Sequence, residues 1–226
     1  MLLTAAVATA TLLASTACTA ADDLSSNPPA EEASMSNAAR DLLAARTVDA
    51  ARSALDAGAD IEARGDGGAT PLIAATKRND VDLARMLIGA GADVNAKDDI
   101  QDSAYLYAGA RGHDDILLLT LENGADLTST NRFGGTALIP ASERGLLSTV
   151  LILLEAGVDP DHVNDLGWTA LHEAIVLGDG SQIYVEVVRA LIDGGADVTI
   201  ADGEGATPRE LALARGYDAI AAELDR

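Results

Sequence analysis

The sequence predicts an all-α fold in which six helix-turn-helix units stack side by side into a solenoid. One marker is a hydroxyl residue able to cap a helix, and it recurs at steps of 33, 33, 33 and 38 residues: Thr70, Ser103, Thr136, Thr169 and Thr207. The second marker is Gly-Ala-Asp or Gly-Val-Asp, and it keeps the same steps: Gly58, Gly91, Gly124, Gly157 and Gly195. Two independent markers that move in register indicate a repeat architecture with one continuous core.

The composition agrees with closely stacked helices. Hydrophobic residues make up 48% of the chain and aromatic residues 3%, so the core is built mainly from Ala, Leu, Val and Ile, which let helices approach closely. The formal net charge of the 226 residues is −21. Such a surface repels phosphate backbones and anionic lipid headgroups, so the composition argues against nucleic-acid binding.

The chain begins with an apolar stretch typical of an export signal. Residues 1–18 carry no charged side chain and end in small residues, which is the pattern of a secretory signal peptide. No Lys or Arg precedes the apolar run, so the positive charge would come from the α-amino group, or the true start lies upstream. The run ends at Cys18 in a context that resembles a bacterial lipobox, which predicts lipidation of Cys18. The alternative is ordinary cleavage after Ala17 or Ala20.

The tether and the repeat domain follow this stretch. Residues 19–36 contain Asp, Ser, Asn, Pro and Glu with little to bury, and they are predicted to form a disordered tether. The repeat domain is predicted over residues 37–226, with helix pairs that start near residues 37, 70, 103, 136, 169 and 207. The last unit carries Arg209 at a core-like position, as expected for an end unit with one face in water.

Each unit has recognisable start and stop signals. The hydroxyl of the Thr or Ser marker is predicted to cap the first helix. The first helix is predicted to end at a residue that tolerates a left-handed conformation: Asn79, Gly112, Gly145, Gly178 and Gly216. The longer fifth step is attributed to residues 178–184, which are predicted to lengthen the turn between the two helices of the fifth unit.

The units resemble ankyrin repeats. Thr70-Pro71-Leu72 and Thr169-Ala170-Leu171-His172 match the family's Thr-Pro-Leu-His pattern, and Gly112-His113 matches its Gly-His pair. The resemblance covers residues 37–226 and is closest to exported bacterial ankyrin-repeat proteins. It implies hairpin-like loops between the units and structural hydrogen-bonding roles for His113 and His172. It also implies binding of a protein partner through the hairpin tips and the concave face of the first helices.

No pattern of catalytic or metal-binding residues holds in the sequence. Val176 stands where a zinc-binding helix starting at His172 would need its second histidine. The aspartates of residues 98–102 lack the glycine and the closing glutamate of a calcium-binding loop, and His162 has no evident partner. The sequence therefore predicts a non-enzymatic protein with no cofactor and no metal.

A row of apolar residues is predicted at the hairpin tips. The position three residues before each capping residue holds Ile100, Phe133 and Leu166 in the third to fifth units, and Trp168 directly precedes the fifth cap. We predict that these four residues form an exposed apolar stripe, with Asp102 in its acidic rim, that anchors a protein partner. The alternative is that they pack against one another and stiffen the loops.

A row of arginines is predicted where the first helices end. Arg78, Arg111, Arg144 and Arg215 share this position, and Leu177 holds it in the fifth unit. On an otherwise acidic protein, the row predicts a grip on a carboxylate-rich partner. The alternative is structural, since a cation here complements the helix dipole or pairs with acids of the adjacent unit.

Together these features predict an exported, lipid-tethered and monomeric module that binds a protein. It would lie in the periplasm or at the cell surface and contact the membrane only through its lipid. One alternative is a chaperone-like or immunity-type accessory that protects or inhibits one cognate envelope enzyme or toxin. Another is a cytosolic scaffold, if the apolar start is retained.

Overall fold

The computed structural model describes residues 35–226, and within this range every regular element is a helix. The predicted all-α solenoid is confirmed. The α-helices form six consecutive pairs: α1 (Asn37–Ala44), α2 (Val48–Asp56), α3 (Pro71–Lys77), α4 (Val81–Gly89), α5 (Ala104–Arg111), α6 (Asp114–Glu122), α7 (Leu138–Glu143), α8 (Leu147–Glu155), α9 (Ala170–Val176), α10 (Gln182–Asp193), α11 (Pro208–Ala214) and α12 (Asp218–Leu224). A single 3-10 turn, Asp66–Gly68, lies in the loop before α3. None of these helices combines the length and the apolar character that a membrane span requires.

The described range begins just before α1. The predicted signal peptide of residues 1–18, with Cys18, and residues 19–34 of the predicted tether lie outside the described residues. Ser36, which was also assigned to the tether, belongs to the helical domain. Its side-chain oxygen accepts a hydrogen bond from the backbone N–H of Ala39 at 3.1 Å and so caps α1.

The helix pairs share one continuous core. First helices contact the first helices of neighbouring units, and second helices contact second helices. In the second to fifth units, the position two residues after the cap points into this core, and its occupants are almost fully buried: Leu72, Tyr105, Leu138 and Leu171. Burial contributes about 2 kcal/mol for each such side chain. Arg209 takes the same position in the last unit, where it is exposed and forms an ion pair.

Of the five predicted helix caps, three are confirmed by direct hydrogen bonds and one is wrong, and Thr169 forms a capping box with His172. The side-chain oxygens of Thr70, Ser103 and Thr207 accept hydrogen bonds from the backbone N–H three residues later, at 3.2, 3.1 and 3.3 Å. The hydroxyl of Thr136 is buried without a hydrogen-bond partner. The reason is that the N–H of Ile139 donates to the Thr136 carbonyl, at 3.3 Å, instead of to the hydroxyl.

The predicted helix terminators also hold with one exception. Asn79, Gly112, Gly145 and Gly216 have φ values of 55°, 69°, 64° and 72°, in the region that glycine enters without steric cost. The prediction is wrong for Gly178, which is not among the residues with positive φ. Two residues further along the longer turn, another glycine has a φ of 71°.

The insertion in the fifth unit is divided between the turn and the second helix. The prediction placed all of it in the turn. Helix α10 has 12 residues, whereas α4, α6 and α8 have nine each. The prediction was therefore wrong in part, because residues at the start of α10 continue the helix instead of forming loop.

Candidate functional site

One polar side chain holds each of the four hairpin loops that precede α5, α7, α9 and α11, whereas the loop before α3 has Gly65 at this position. These side chains lie five positions before the capping residue: Asp98, Asn131, Asn164 and Asp202. The Oδ1 atom of each accepts two backbone N–H groups of its own hairpin, at distances of 2.8 to 3.1 Å. Such bonds fix the loop conformation. Sequence reasoning missed this row, although it recurs at the same step as the caps and could have been found by that signal.

The hairpin tips carry exposed apolar side chains. Ile100, Phe133 and Leu166 are 46%, 54% and 60% exposed. The backbone N–H of Asp165 donates to the carbonyl of Phe133 at 3.0 Å, which places the last two tips side by side. Trp168 differs from the other three residues of the predicted stripe, since it is partly buried at the base of its hairpin.

A groove of about 370 Å³ runs between the hairpin tips and helices α5, α7 and α9. The structure brings six of the predicted binding residues to this groove: Ile100, Asp102, Phe133, Leu166, Arg111 and Arg144. Trp168 and Arg78 do not line it. Sequence reasoning missed several residues that complete the lining: Tyr107, Ile139, Pro140, Glu143, Glu173 and Leu177. Three of the four residues of the predicted stripe and two of the predicted arginines therefore belong to one surface.

The arginines at the ends of the first helices mostly bond within the protein. A guanidinium nitrogen of Arg78 donates to the carbonyl of Ala45 at 3.2 Å, and Arg144 donates to the carbonyl of Ala110. Both acceptors lie at the end of the first helix of the preceding unit. Arg111 lies over the Tyr107 ring, 5.5 Å from its centroid. These contacts favour the structural interpretation for Arg78 and Arg144, since they satisfy carbonyls that a helix leaves free at its end.

The acid at one end of the groove has cations around it. Burial raises the pKa of Asp102, and the charge of Asp98 raises it further, while Arg132, Lys77 and Arg111 lower it. Three cations of the chain therefore favour the charged form of this carboxylate.

The acid at the other end of the groove, Glu173, is more deeply buried. It is 5% exposed, and its Oε1 atom accepts a hydrogen bond from Nδ2 of Asn164 at 2.9 Å. Burial raises the pKa of Glu173 to about 7, and the charge of Glu143 also raises it, while the Asn164 hydrogen bond lowers it. Glu173 thus stands in the groove lining beside a second carboxylate, Glu143.

The histidines have structural contacts. Nδ1 of His113 lies 3.0 Å from the carbonyl oxygen of Thr76 in the preceding unit. His172 is bonded within its own unit, where its Nδ1 accepts the backbone N–H of Thr169 at 3.1 Å. The prediction that His162 has no partner is wrong, because its Nε2 lies 2.6 Å from the carbonyl oxygen of Gly134. That contact links two neighbouring hairpins. The spacing of residues within one repeat does not show contacts of this kind.

Residues 35–226 contain no group of three or more His, Cys, Asp or Glu side chains that could hold a metal ion. A calcium site in the 98–102 loop would need the carboxylate of Asp98. This carboxylate instead forms an ion pair with Lys77, with 2.7 Å between Oδ2 and Nζ. The groove therefore offers an apolar wall, carboxylates and arginines, which are the groups of a recognition surface.

Comparisons with known proteins agree with the helix-pair architecture. The family model described as "Ankyrin repeats (3 copies)" matches residues 105–202, and the model described as "Ankyrin repeat" matches residues 67–99. A crystal structure of an ankyrin-repeat domain from Acinetobacter baumannii AYE is 53% identical with a TM-score of 0.76, and the match covers 78% of this chain and 90% of that one. An ankyrin-repeat protein from Enterococcus is 41% identical with a TM-score of 0.80, covering 83% of this chain and 98% of that one. A search of curated proteins gave no match.

Proposed function

The chain belongs to the ankyrin-repeat family, whose repeats are generally protein–protein interaction modules, and we propose that it binds a protein partner in the groove between its hairpin tips and helices α5, α7 and α9. The protein binds this partner without catalysing a reaction on it. The partner contacts both the tips and the helices behind them.

The observation that carries this proposal is the line of exposed apolar tips. Ile100, Phe133 and Leu166 hold about half of their surface in water, on a chain with a net charge of −21. Exposed apolar side chains that share one groove, with charged residues at the rim, are typical of interaction sites. The alternative, that these residues stiffen the loops by packing against one another, fits their exposure poorly. The loops are held instead by the polar side chains at their bases.

We also propose that the protein is exported and anchored by a lipid on Cys18, so that it lies in the periplasm or at the cell surface. The support for this proposal is the sequence of residues 1–18, which has the apolar run and small residues of a signal peptide. Mass spectrometry of the mature protein tests it. A diacylated or triacylated N-terminal Cys18 is the expected result, and an intact Met1 would overturn it.

A site-specific crosslinking experiment tests the binding surface. A photoreactive amino acid replaces Phe133 in one variant and Leu151 in another; both positions are exposed, and Leu151 lies on α8, away from the groove. We expect a defined crosslinked partner from position 133 that is absent from position 151, and that disappears when Leu166 is changed to Ala. Equal crosslinking from both positions would contradict the proposed surface.

A further inference from the structure

Within the binding function proposed above, on which this inference rests, we propose that the partner places a lysine or arginine side chain against the carboxylates of Glu143 and Glu173 in the groove lining. The side chain belongs to an extended segment whose neighbouring residues are apolar. Those neighbours pack on Phe133 and Leu166 at the tips.

Glu173 is buried although it lines an open groove. It is only 5% exposed. One carboxylate oxygen is bonded to the neutral Asn164 amide. Among the described residues, no ion pair of Lys or Arg includes Glu173, and the charge of Glu143 raises its pKa. Burial and the nearby charge of Glu143 disfavour the ionised form of Glu173, so a cation that a partner places here would stabilise that form.

The second and fourth units carry opposite charges at one equivalent position. Lys77 and Glu143 occupy equivalent positions, seven residues after the caps of the second and fourth units. Lys77 reaches into the next unit and bonds Asp98, the residue at the base of that hairpin. In the fourth unit, Glu143 carries a negative charge at the position of Lys77, and the residue equivalent to Asp98 is the neutral Asn164. The chain thus supplies its own cation at one boundary between units and lacks it at the other.

The arginines of the groove interact with groups other than Glu173. Arg144, next to Glu143 in sequence, is turned to the carbonyl of Ala110 in the preceding unit. Arg111 and Arg132 act on Asp102 at the opposite end of the groove. The groove lining also includes the apolar side chains of Pro140, Leu166 and Leu177. A cationic head on a long aliphatic stem fits both parts of this surface. The acidic net charge of the chain also attracts such a segment.

The test uses the full chain and random peptides displayed on phage as the probe. Peptides that bind are sorted by whether the Phe133→Ala substitution abolishes their binding, which identifies those that use the groove. Groove-dependent peptides should share a Lys or Arg flanked by aliphatic residues. For one such peptide, replacing Arg by citrulline or Lys by norleucine should weaken binding about tenfold or more.

Two protein variants make the test specific to the carboxylates. Glu173→Gln keeps an oxygen for the Asn164 amide and should remove most of the preference for the cationic peptide. Glu143→Lys supplies the cation from within the chain, as Lys77 does for Asp98, and should abolish that preference. Carbon-13 NMR of the glutamate side chains should show the pKa of Glu173 falling when the peptide binds and in Glu143→Lys.

The outcomes separate this inference from the proposed function. Groove-dependent peptides that lack a shared cation, or that bind Glu173→Gln and the unaltered chain equally, would overturn the inference and leave the binding surface in place. If no selected peptide is sensitive to Phe133→Ala, both the inference and the proposed surface fail.

Discussion

The Nζ atom of Lys77 lies 2.7 Å from Oδ2 of Asp98, which ties the end of α3 to the hairpin of the next unit. The Asp98 side chain is 1% exposed. Burial alone would raise the pKa of Asp98, but the hydrogen bond from Lys77 and the backbone N–H groups of the hairpin lower it below its ordinary value. This ion pair therefore stabilises the contact between two repeats.

Changing Lys77 to Met should destabilise the protein, because it leaves the Asp98 carboxylate buried without its cation. We expect a loss of about 1–2 kcal/mol in the free energy of unfolding, less than for a fully buried pair because the lysine is one-third exposed. Since the folded-state pKa of Asp98 lies below its ordinary value of 3.8, the contribution is present above that value and disappears as the pH falls through the folded-state pKa. Urea denaturation at several pH values measures this. The control is Arg209→Met, at an ion pair with both partners exposed, which should leave the free energy of unfolding almost unchanged.

Changing Glu173 to Gln should stabilise the protein at high pH. The folded-state pKa of Glu173 is about 7, above its ordinary value of 4.5, chiefly because of burial. Between these two values the folded chain binds more protons than the unfolded chain, so stability falls as the pH rises. We expect the unaltered protein to lose on the order of 2 kcal/mol across this window and Glu173→Gln to lose much less.

Thermal unfolding of both proteins below and above the window checks this prediction. Glu155→Gln, at an exposed position on α8, is the control and should follow the unaltered protein. Parallel pH profiles for Glu173→Gln and the unaltered protein would show that ionisation of Glu173 does not limit stability.

The fold could be predicted because its signals are local. A capping hydroxyl and a glycine terminator each act within one helix turn, so a spacing of 33 residues between successive copies of each signal indicates the repeat directly. Thr136 failed as a cap for an equally local reason, since a backbone carbonyl competed for the N–H of Ile139. Spacing alone does not show which of two acceptors wins.

The candidate site could be predicted only in part. The tips Ile100, Phe133 and Leu166 were found because one hairpin row contains all three. Glu143 and Glu173 were missed because they occupy different positions in their repeats and meet only when two units stack. Lys77 and Glu143 occupy the same repeat position with opposite charges, and comparing that position between units reveals the difference. Trp168 was included because spacing gives its place in the row but not the direction of its side chain.

The tip residues should matter for binding more than for stability. Phe133 is 54% exposed and Leu166 is 60% exposed, so changing either to Ala should cost less than about 1 kcal/mol of folding free energy. Either change should abolish co-purification of the partner that crosslinking identifies, because the tip side chains anchor it. Leu138→Ala, at a fully buried position, should cost about 3 kcal/mol and provides the comparison for core packing. A large loss of stability in Phe133→Ala would support the view that the tips stiffen the loops.

Two glycines on neighbouring units should respond to alanine in opposite directions. Gly112 ends α5 with a φ of 69°, a conformation that costs an alanine about 1 kcal/mol, and its added Cβ would lie 3.4 Å from Leu146. Gly89 ends α4 without a positive φ, and a Cβ there meets nothing within 4 Å. Gly112→Ala should therefore lower the free energy of unfolding by about 1 kcal/mol, while Gly89→Ala should raise it by about 0.5 kcal/mol by restricting the unfolded chain. Urea denaturation measures both, and a stabilising Gly112→Ala would mean that the end of α5 does not require its left-handed residue.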